Sequence, residues 1–303
     1  MSLCLLPDEI IKPAWTAEDE RFVAQFDETV RKTIKEFNLI APGDKLVIAA
    51  SGGKDSTVLL HLFNKLGIPF EAVTVDTAIG CYTKQNLINL RAFCAERNIK
   101  LHELAFREAF GMSVCYMRDA LKEKNVKVHS CTICGVPRRY LINRLERDLG
   151  ATKIVTGHNL DDEAQAVMMN IIKHRPEQNA RLGPSSTKKE GLIPRIKPLY
   201  FVREKDIERY SRLHGFVVHY GKCPCVQGSL RTDLRSFFES YEKTVPGVRE
   251  NVIDFFLSQL PNLKQKYQNR AKLSACASCG EPSTAGTCTT CKLFLQLKGA
   301  SEA

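Results

Sequence analysis

Ser51-Gly52-Gly53-Lys54-Asp55-Ser56 follows the apolar run Val47–Ala50 and leads directly into the apolar segment Thr57–Phe63. A strand, a tight glycine turn and a helix in that order build an anion site. Two adjacent glycines tolerate backbone angles that side chains forbid. The first amides of a helix lack internal partners, and with the helix dipole they favour phosphate. The nucleotide P-loop is excluded, because it needs a glycine five residues before its Gly-Lys pair and Ser or Thr after it. Ile48 and Asp55 hold those places. This is a phosphate loop of another kind. Its partner is Val155–Asn170, which carries Gly157, His158, Asn159, Asp161 and Asp162. Two acids beside a phosphate loop can hold Mg2+, which bridges phosphate oxygens. The same acids also suit a plain helix N-terminus, whose dipole they complement. Asp76 and Thr77 are placed to meet an adenine or ribose, and no chemistry falls to His158.

Twelve cysteines carry a second signal, since six of them form CxxC pairs: Cys131/Cys134, Cys276/Cys279 and Cys288/Cys291. In a chain without an export signal such pairs read as metal ligands or redox groups rather than disulfides. Thiolates spaced as Cys276, Cys279, Cys288 and Cys291 can close a tetrahedron, which predicts a structural zinc site; iron or a redox pair are the alternatives. Cys131 and Cys134 precede a helix bearing Arg138, Arg139, Arg144 and Arg147, a setting that lowers thiol pKa values. Alone they suit a redox disulfide or half of a zinc site. With Cys223 of the later "CPC" (Cys223, Cys225), two plus one thiolates suit an iron–sulfur cluster with one iron left open. Cys94, on an apolar helix face, reads as packing.

The elements that must position these groups alternate. Strands are predicted over 45–50, 70–79, 100–106, 153–157 and 216–221, with helices between and after them. The fold class is α/β, a mainly parallel sheet with helices on both faces and ligands at the carboxyl ends of its strands. Residues 16–40 predict an amphipathic helix presenting Phe22, Phe26, Val30, Ile34 and Phe37, and Gly/Pro/Ser-rich 179–195 predicts a mobile surface loop. The expected units are an N-terminal helical extension (1–43), the α/β domain (44–272) and a small C-terminal zinc-binding unit (273–303). Among 303 residues, 44 Lys and Arg against 34 Asp and Glu give a net charge of +10. That balance favours a polyanionic partner, nucleic acid ahead of membrane. Basic residues cluster at Arg138–Arg147, Lys188–Lys205, and Lys264, Lys266, Arg270 and Lys272. No run approaches the roughly 18 apolar residues of a membrane span. The stretch Met1–Trp15 has no basic start and soon turns acidic, which argues against a secretory signal and for a cytoplasmic protein.

Together, "SGGKDS" after a strand, "CTICG" followed by "RRY", "GHNLDDEAQ", and "CP" near "SLRTDLRSFF" resemble the tRNA 2-thiolation enzymes of the TtcA/TtuA/NcsA group. These belong to the PP-loop ATP pyrophosphatase superfamily. With its C-terminal cysteine knuckles the chain looks most like the TtuA/NcsA branch, from Asp44 to Cys291. The resemblance implies an adenine nucleotide alpha-hydrolase-like fold for the catalytic domain. It implies ATP held by Ala49, Ser51, Gly52, Gly53, Asp55, Ser56, Val75, Gly157 and Asp162, with Lys54 at the centre of the loop. It further implies a [4Fe-4S] cluster on Cys131, Cys134 and Cys223, whose open iron presents sulfide. The implied reaction forms 2-thiouridine, at a wobble or T-loop uridine, while ATP becomes AMP and pyrophosphate. Lys54, Asp55, Asp161 and Arg138 would join the cysteines in catalysis, the two acids through Mg2+ or as acid/base groups and Arg138 against developing charge. Implied partners are tRNA, a sulfur donor (sulfide, a persulfide or a ubiquitin-like thiocarboxylate protein) and a second copy of the chain.

Two departures stand out. The N-terminal zinc knuckles usual in that branch are missing, since Cys4 stands alone before Cys81. Cys225 adds a thiol that, as a fourth ligand, would close the cluster. Two other readings compete. A PP-loop amide ligase or lysidine-type synthetase explains the nucleotide loop but leaves the three internal cysteines idle. A non-enzymatic zinc-bearing RNA-binding scaffold conflicts with an intact SGGKDS.

Overall fold

In the computed structural model the described residues are 14–186, 191–221, 223–225, 229–267 and 273–299; Cys4, Lys188, Arg270 and Lys272 lie outside them. Helix α1 (Ala17–Glu36) leads to β1 (Leu46–Ala49), α2 (Lys54–Lys65), β2 (Phe70–Asp76), α3 (Gly80–Glu96) and β3 (Leu101–Ala105). Next come α4 (Phe106–Phe110), α5 (Val114–Glu123), α6 (Ser130–Asp148), β4 (Lys153–Val155), α7 (Leu160–Ile172), α8 (Pro176–Asn179) and β5 (Arg195–Ile196). The chain continues through α9 (Glu204–Leu213), α10 (Leu230–Tyr241), α11 (Val248–Tyr267), β6 (Ser274–Ala275), β7 (Pro282–Ser283) and α12 (Thr289–Lys298).

Strands β3-β2-β1-β4-β5 form one parallel sheet, as the strand–helix alternation requires. The chain runs outward from β1 to β3, then returns past β1 to add β4 and β5. That reversal leaves a crevice between the carboxyl ends of β1 and β4, where ligands bind in such sheets. The main core lies between β1, β2 and β4 and helices α1, α2 and α9, around Ile48, Leu59, Phe63, Val155 and Tyr210. Helix α1 opens with a capping box between Thr16 and Asp19 and buries Val23, Phe26 and Val30. Phe26 stacks on Tyr210 at 4.2 Å. Phe37, past the end of α1, stays 36% exposed and leans on Phe201.

Two predicted segments differ. Residues 216–221 form no strand, although Phe216 and Val218 are buried and Val217 is exposed. Their alternation is real, but among the described residues no neighbouring strand supplies a ladder. The expected mobile loop 179–195 is pinned in its described parts. Ala180 and Pro184 are buried, the Lys197 amide donates to Pro184 O (2.9 Å) and the Ser186 amide to Arg195 O (2.9 Å), and the segment ends as β5. In the described parts, Gly and Pro mark a chain reversal held by these hydrogen bonds.

The C-terminal segment is docked rather than pendant. Leu293, Phe294 and Leu297 of α12 share an apolar cluster with Val114, Met117, Ile133 and Leu141 of α5 and α6. Phe294 packs on Phe110 at 4.8 Å, Lys124 Nζ donates to Leu297 O at 2.5 Å, and Arg147 pairs with Glu281. Leu293 is 5% exposed, so Leu293→Ala is expected to lower stability by about 2–5 kcal/mol, read from denaturant midpoints.

Candidate active site and metal centre

The turn after β1 closes on itself. Gly52 has φ +77°, and a β-carbon there would meet Asn86 O at 2.4 Å, so this position admits glycine alone. The Ser51 amide donates to Ser56 Oγ (3.2 Å), which donates to Gly53 O (3.0 Å). Gly53 caps α2 without a side-chain hydrogen bond to its first amides. A β-carbon on Gly157 would sit 3.1 Å from Asp55 Cβ and 3.3 Å from the Ser56 nitrogen. The loops after β1 and β4 therefore touch through backbone. Asn159 caps α7 by accepting from the Asp162 amide and ties the loops by donating to Asp55 Oδ1 at 3.1 Å.

Charges on this side are paired. Lys54 Nζ lies 2.9 Å from Glu204 Oε1 and 3.3 Å from Asp55 Oδ2. Burial works against its charge, but Asp55 and Glu204 outweigh burial and hold the Lys54 pKa above its ordinary value. Asp161 accepts from the Glu204 amide (2.7 Å) and pairs with Arg249 (2.5 Å), which fixes the start of α9 to α7 and α11. Asp162 pairs with Arg231 at 3.0 Å, and its enclosure pushes its pKa up to about 6 against the pull of Arg231. His158 Nδ1 sits 2.9 Å from Thr156 Oγ1, and enclosure together with nearby cations takes its pKa down to about 3, so the ring stays neutral.

One cavity of about 480 Å³ unites these loops with the internal cysteines. Ala49, Ser51, Asp55, Ser56, Val75, Thr77, Gly157 and Asp162 line it, and so do Cys131, Cys134, Cys223, Cys225 and Arg138. Gly52, Gly53, Lys54 and Asp161 do not reach its wall and act from behind it. Cys131 and Cys134 lie within the first turns of α6, which begins at Ser130 rather than after the pair. Three residues apart, they share one helix face. The expected lowering of thiol pKa does not hold for Cys134, because burial pushes it up and outweighs the nearby Arg138. Cys223 and Cys225 face them from the segment before α10, with Arg118 Nη1 3.9 Å from Cys225 Sγ.

Two metal-binding fits follow. Cys276, Cys279, Cys288 and Cys291 bring their sulfurs within 4.8 Å of one another, the convergence one tetrahedral ion demands. The Cys288 amide donates to Cys276 Sγ (3.2 Å) and holds that thiol's pKa down at about 6, whereas burial outweighs the Cys291 amide at Cys288 Sγ (3.4 Å) and pushes the Cys288 thiol up. The internal cysteines share a cavity without such convergence. Thiolates on a multi-iron cluster stand apart by the width of that cluster, so a wall of Cys131, Cys134 and Cys223 around open space fits one.

A model of the PP-loop domain matches residues 22–219. The chain belongs to the PP-loop family. The tRNA-5-methyluridine(54) 2-sulfurtransferase of Thermus thermophilus is 30% identical over 276 residues, covering 91% of this chain and 84% of that one. The tRNA 2-thiolation protein NcsA of Haloferax volcanii is 29% identical over 297 residues, 91% of each chain. Cytoplasmic tRNA 2-thiolation protein 1 of Caenorhabditis briggsae is 31% identical over 279 residues, 90% of this chain and 73% of that one. The solved U34-tRNA thiolase NcsA from Methanococcus maripaludis, with its [4Fe-4S] cluster, matches with a TM-score of 0.73 and 26% identity over 94% of this chain and 90% of that one. Within the PP-loop family the chain thus groups with tRNA 2-thiolation proteins. No helix among the described residues is long and apolar enough to cross a membrane.

Some PP-loop cavity residues escaped the sequence reading. Arg139, Arg195, Tyr82 and Asn86 line the same space. The repeated arginine in "RRY" hints at Arg139, whereas nothing local marks Arg195, which only β5 brings to the site. Two members of the basic run 188–205 are paired inside the fold: Lys197 with Glu163, and Arg203 with Glu242 and Glu250. Glu146, 0% exposed, faces inward from α6 with both carboxylate oxygens unpartnered among the described residues.

Gly52→Ala is expected to weaken ATP binding roughly tenfold or more, measured by equilibrium dialysis, because a side chain forces that turn open. Burial pushes the Glu146 carboxyl from 4.5 up to about 8, against Arg195 and Arg147. Through that interval the unfolded chain has released a proton that the folded chain keeps, so stability falls as pH rises. Urea denaturation across pH 4.5–8 is expected to show this fall in the wild type and its absence in Glu146→Gln.

Proposed function

We propose that this chain is an ATP-dependent tRNA sulfurtransferase that replaces the 2-oxygen of a uridine with sulfur. One observation carries the reading: a PP-loop and three cysteines fit for a cluster line a single cavity. The relatives, named for thiolation of tRNA at positions 34 and 54, support it.

ATP lies with its phosphates on the turn amides of Ser51–Ser56, at the positive end of α2. Ala49 and Val75 flank the nucleotide. Asp55 and Asp162, which face the cavity, hold Mg2+; Asp161 instead locks α9 and α11 in place. Lys54 keeps the loop closed through Glu204 rather than meeting phosphate from the cavity wall. Uracil O2 attacks the α-phosphorus and pyrophosphate leaves. The base then carries AMP on the carbon to be changed, a far better leaving group than oxide. Sulfur attacks that carbon and AMP departs, with Arg138 beside the developing negative charge. Cys131, Cys134 and Cys223 would hold a [4Fe-4S] cluster, which supplies an iron with an open position for sulfur. Zn2+ on the C-terminal cysteines supplies folding energy to a segment too small for its own core and secures α12 against α6. The proposal includes a cytoplasmic setting, in line with the nematode relative's name, and a pair of chains as the working unit. An amide ligase would leave the three cysteines of the cavity without a role.

The test is anaerobic reconstitution of the wild type, Cys223→Ala and Cys225→Ala, with iron per chain, visible absorbance, ATP affinity and tRNA thiolation measured on each. Cys223→Ala is expected to lose iron and thiolation while binding ATP normally, and Cys225→Ala to keep all of them. Thiolation by an iron-free protein would replace the cluster with a cysteine persulfide route. Pyrophosphate release with no sulfur in tRNA would restore the ligase reading.

A further inference from the structure

The cavity is electrically divided. On the PP-loop side every nearby cation has a carboxylate: Lys54 has Asp55 and Glu204, Arg231 has Asp162, Arg235 has Glu204, and Arg249 has Asp161 and Glu242. On the α6 side none does. Among the described residues Arg138 and Arg139 make no ion pair, and the Arg195 side chain donates only to Asn143 Oδ1, at 2.9 Å. The Arg139 guanidinium folds back along its helix, with Nη1 3.3 Å from where a β-carbon on Gly135 would be. That seat sets it beside Cys134. Glu146, the nearby acid that could neutralise Arg195, is fully buried and makes no hydrogen bond to it. Three guanidiniums therefore share a cavity wall with no carboxylate paired to any of them.

Building on the proposed sulfurtransferase activity, we propose that Arg139 and Arg195 form a subsite for hydrosulfide, a small inorganic sulfur anion, next to the cysteines. The phosphates of ATP are accounted for at the switch between β1 and β4, and uracil is neutral. The arginine wall, with which no carboxylate pairs, is therefore open to a different anion. Arg195 lies in register with Ile154, and Ile154 and Ile142 line the same recess. A recess walled by a strand and a helix takes a small ion more readily than a phosphodiester carrying a sugar on each side. Mutual repulsion among the three cations agrees with this arrangement: the Arg139 pKa is depressed by burial, then by Arg195 and Arg138. An anion relieves that repulsion, and the guanidiniums keep it in the deprotonated, nucleophilic form.

The test uses cluster-loaded protein with sodium sulfide as sulfur source and saturating ATP and tRNA. Losing a hydrogen bond from a charged group is expected to raise the sulfide KM roughly tenfold or more in Arg139→Met, with the KM for ATP and tRNA unchanged. Arg139→Lys is expected to recover part of the loss, and Arg195→Gln to move the sulfide KM in the same direction. Independently of turnover, the bromide NMR line is expected to broaden with wild-type protein, narrow when sulfide is added, and stay narrow with Arg139→Met. An unmoved sulfide KM with a raised tRNA KM and a shallower salt dependence would assign the arginines to the RNA backbone and overturn the subsite. If the wild type failed to thiolate tRNA, the sulfurtransferase reading would fall; loss or persistence of the bromide–sulfide competition would still decide the anion site.

Discussion

A β-carbon on Gly52 would lie 2.4 Å from Asn86 O, and one on Gly157 would lie 3.1 Å from Asp55 Cβ. Gly157 lets the loops after β1 and β4 meet at contact distance, Gly52 lets the β1 loop pack against Asn86 of α3, and the rest of the site is organised by the first of these contacts. It brings the start of α2 and the start of α7 to one crevice. Two helix N-termini then face the same space, where the sheet reverses its winding direction. Asn159 is tied to Asp55, Asp161 to the start of α9, and Lys54 to Glu204. These ties hold the loops without filling the cavity with side chains. At the PP-loop end the helix-start amides are free to face it, which suits a ligand rich in phosphate oxygen.

The charges divide according to what each wall must do. Around the PP-loop, pairing of Lys54, Arg231 and Arg249 turns potential phosphate ligands into struts. Rigid struts preserve a turn whose backbone conformation is costly to hold. On the cavity wall Arg138, Arg139 and Arg195 pair with no carboxylate among the described residues, so that wall retains its positive potential. In a partly enclosed space this potential acts more strongly than on an open surface. A carboxylate as close as Glu146 changes little while burial keeps it protonated.

Helix α6 joins the three layers of this arrangement. Its first turns present Cys131 and Cys134, its next turn presents Arg138 and Arg139, and Ile133 and Leu141 anchor it in the apolar cluster that receives α12. The C-terminal cysteine unit thereby braces the helix that carries the internal cysteines. Arg147 with Glu281 and Lys124 with Leu297 O reinforce the same junction. Folding of the short terminal cysteine segment is in this way coupled mechanically to the geometry of the site.

Much of this was legible in the chain itself. Alternating apolar strands and helices determine a parallel sheet, since only crossover helices can return the chain to start a parallel strand. The glycine pair in SGGKDS and the cysteine spacings mark a candidate phosphate turn and candidate thiolate ligand sets, because those chemistries need particular residues at particular short separations. Long-range facts were not legible. Alternation at 216–221 could not reveal that no strand lies beside it, and the Gly/Pro content of 179–195 could not reveal that its ends are pinned. Asp161 and Asp162 are adjacent in sequence, yet one turns to Arg249 and the other to the cavity. Arg195 enters the site only because β5 pairs with β4. Local patterning fixes which chemical groups exist and how nearby ones are spaced. Which of them face one another depends on contacts between segments far apart in sequence, and those are made only when the sheet is assembled.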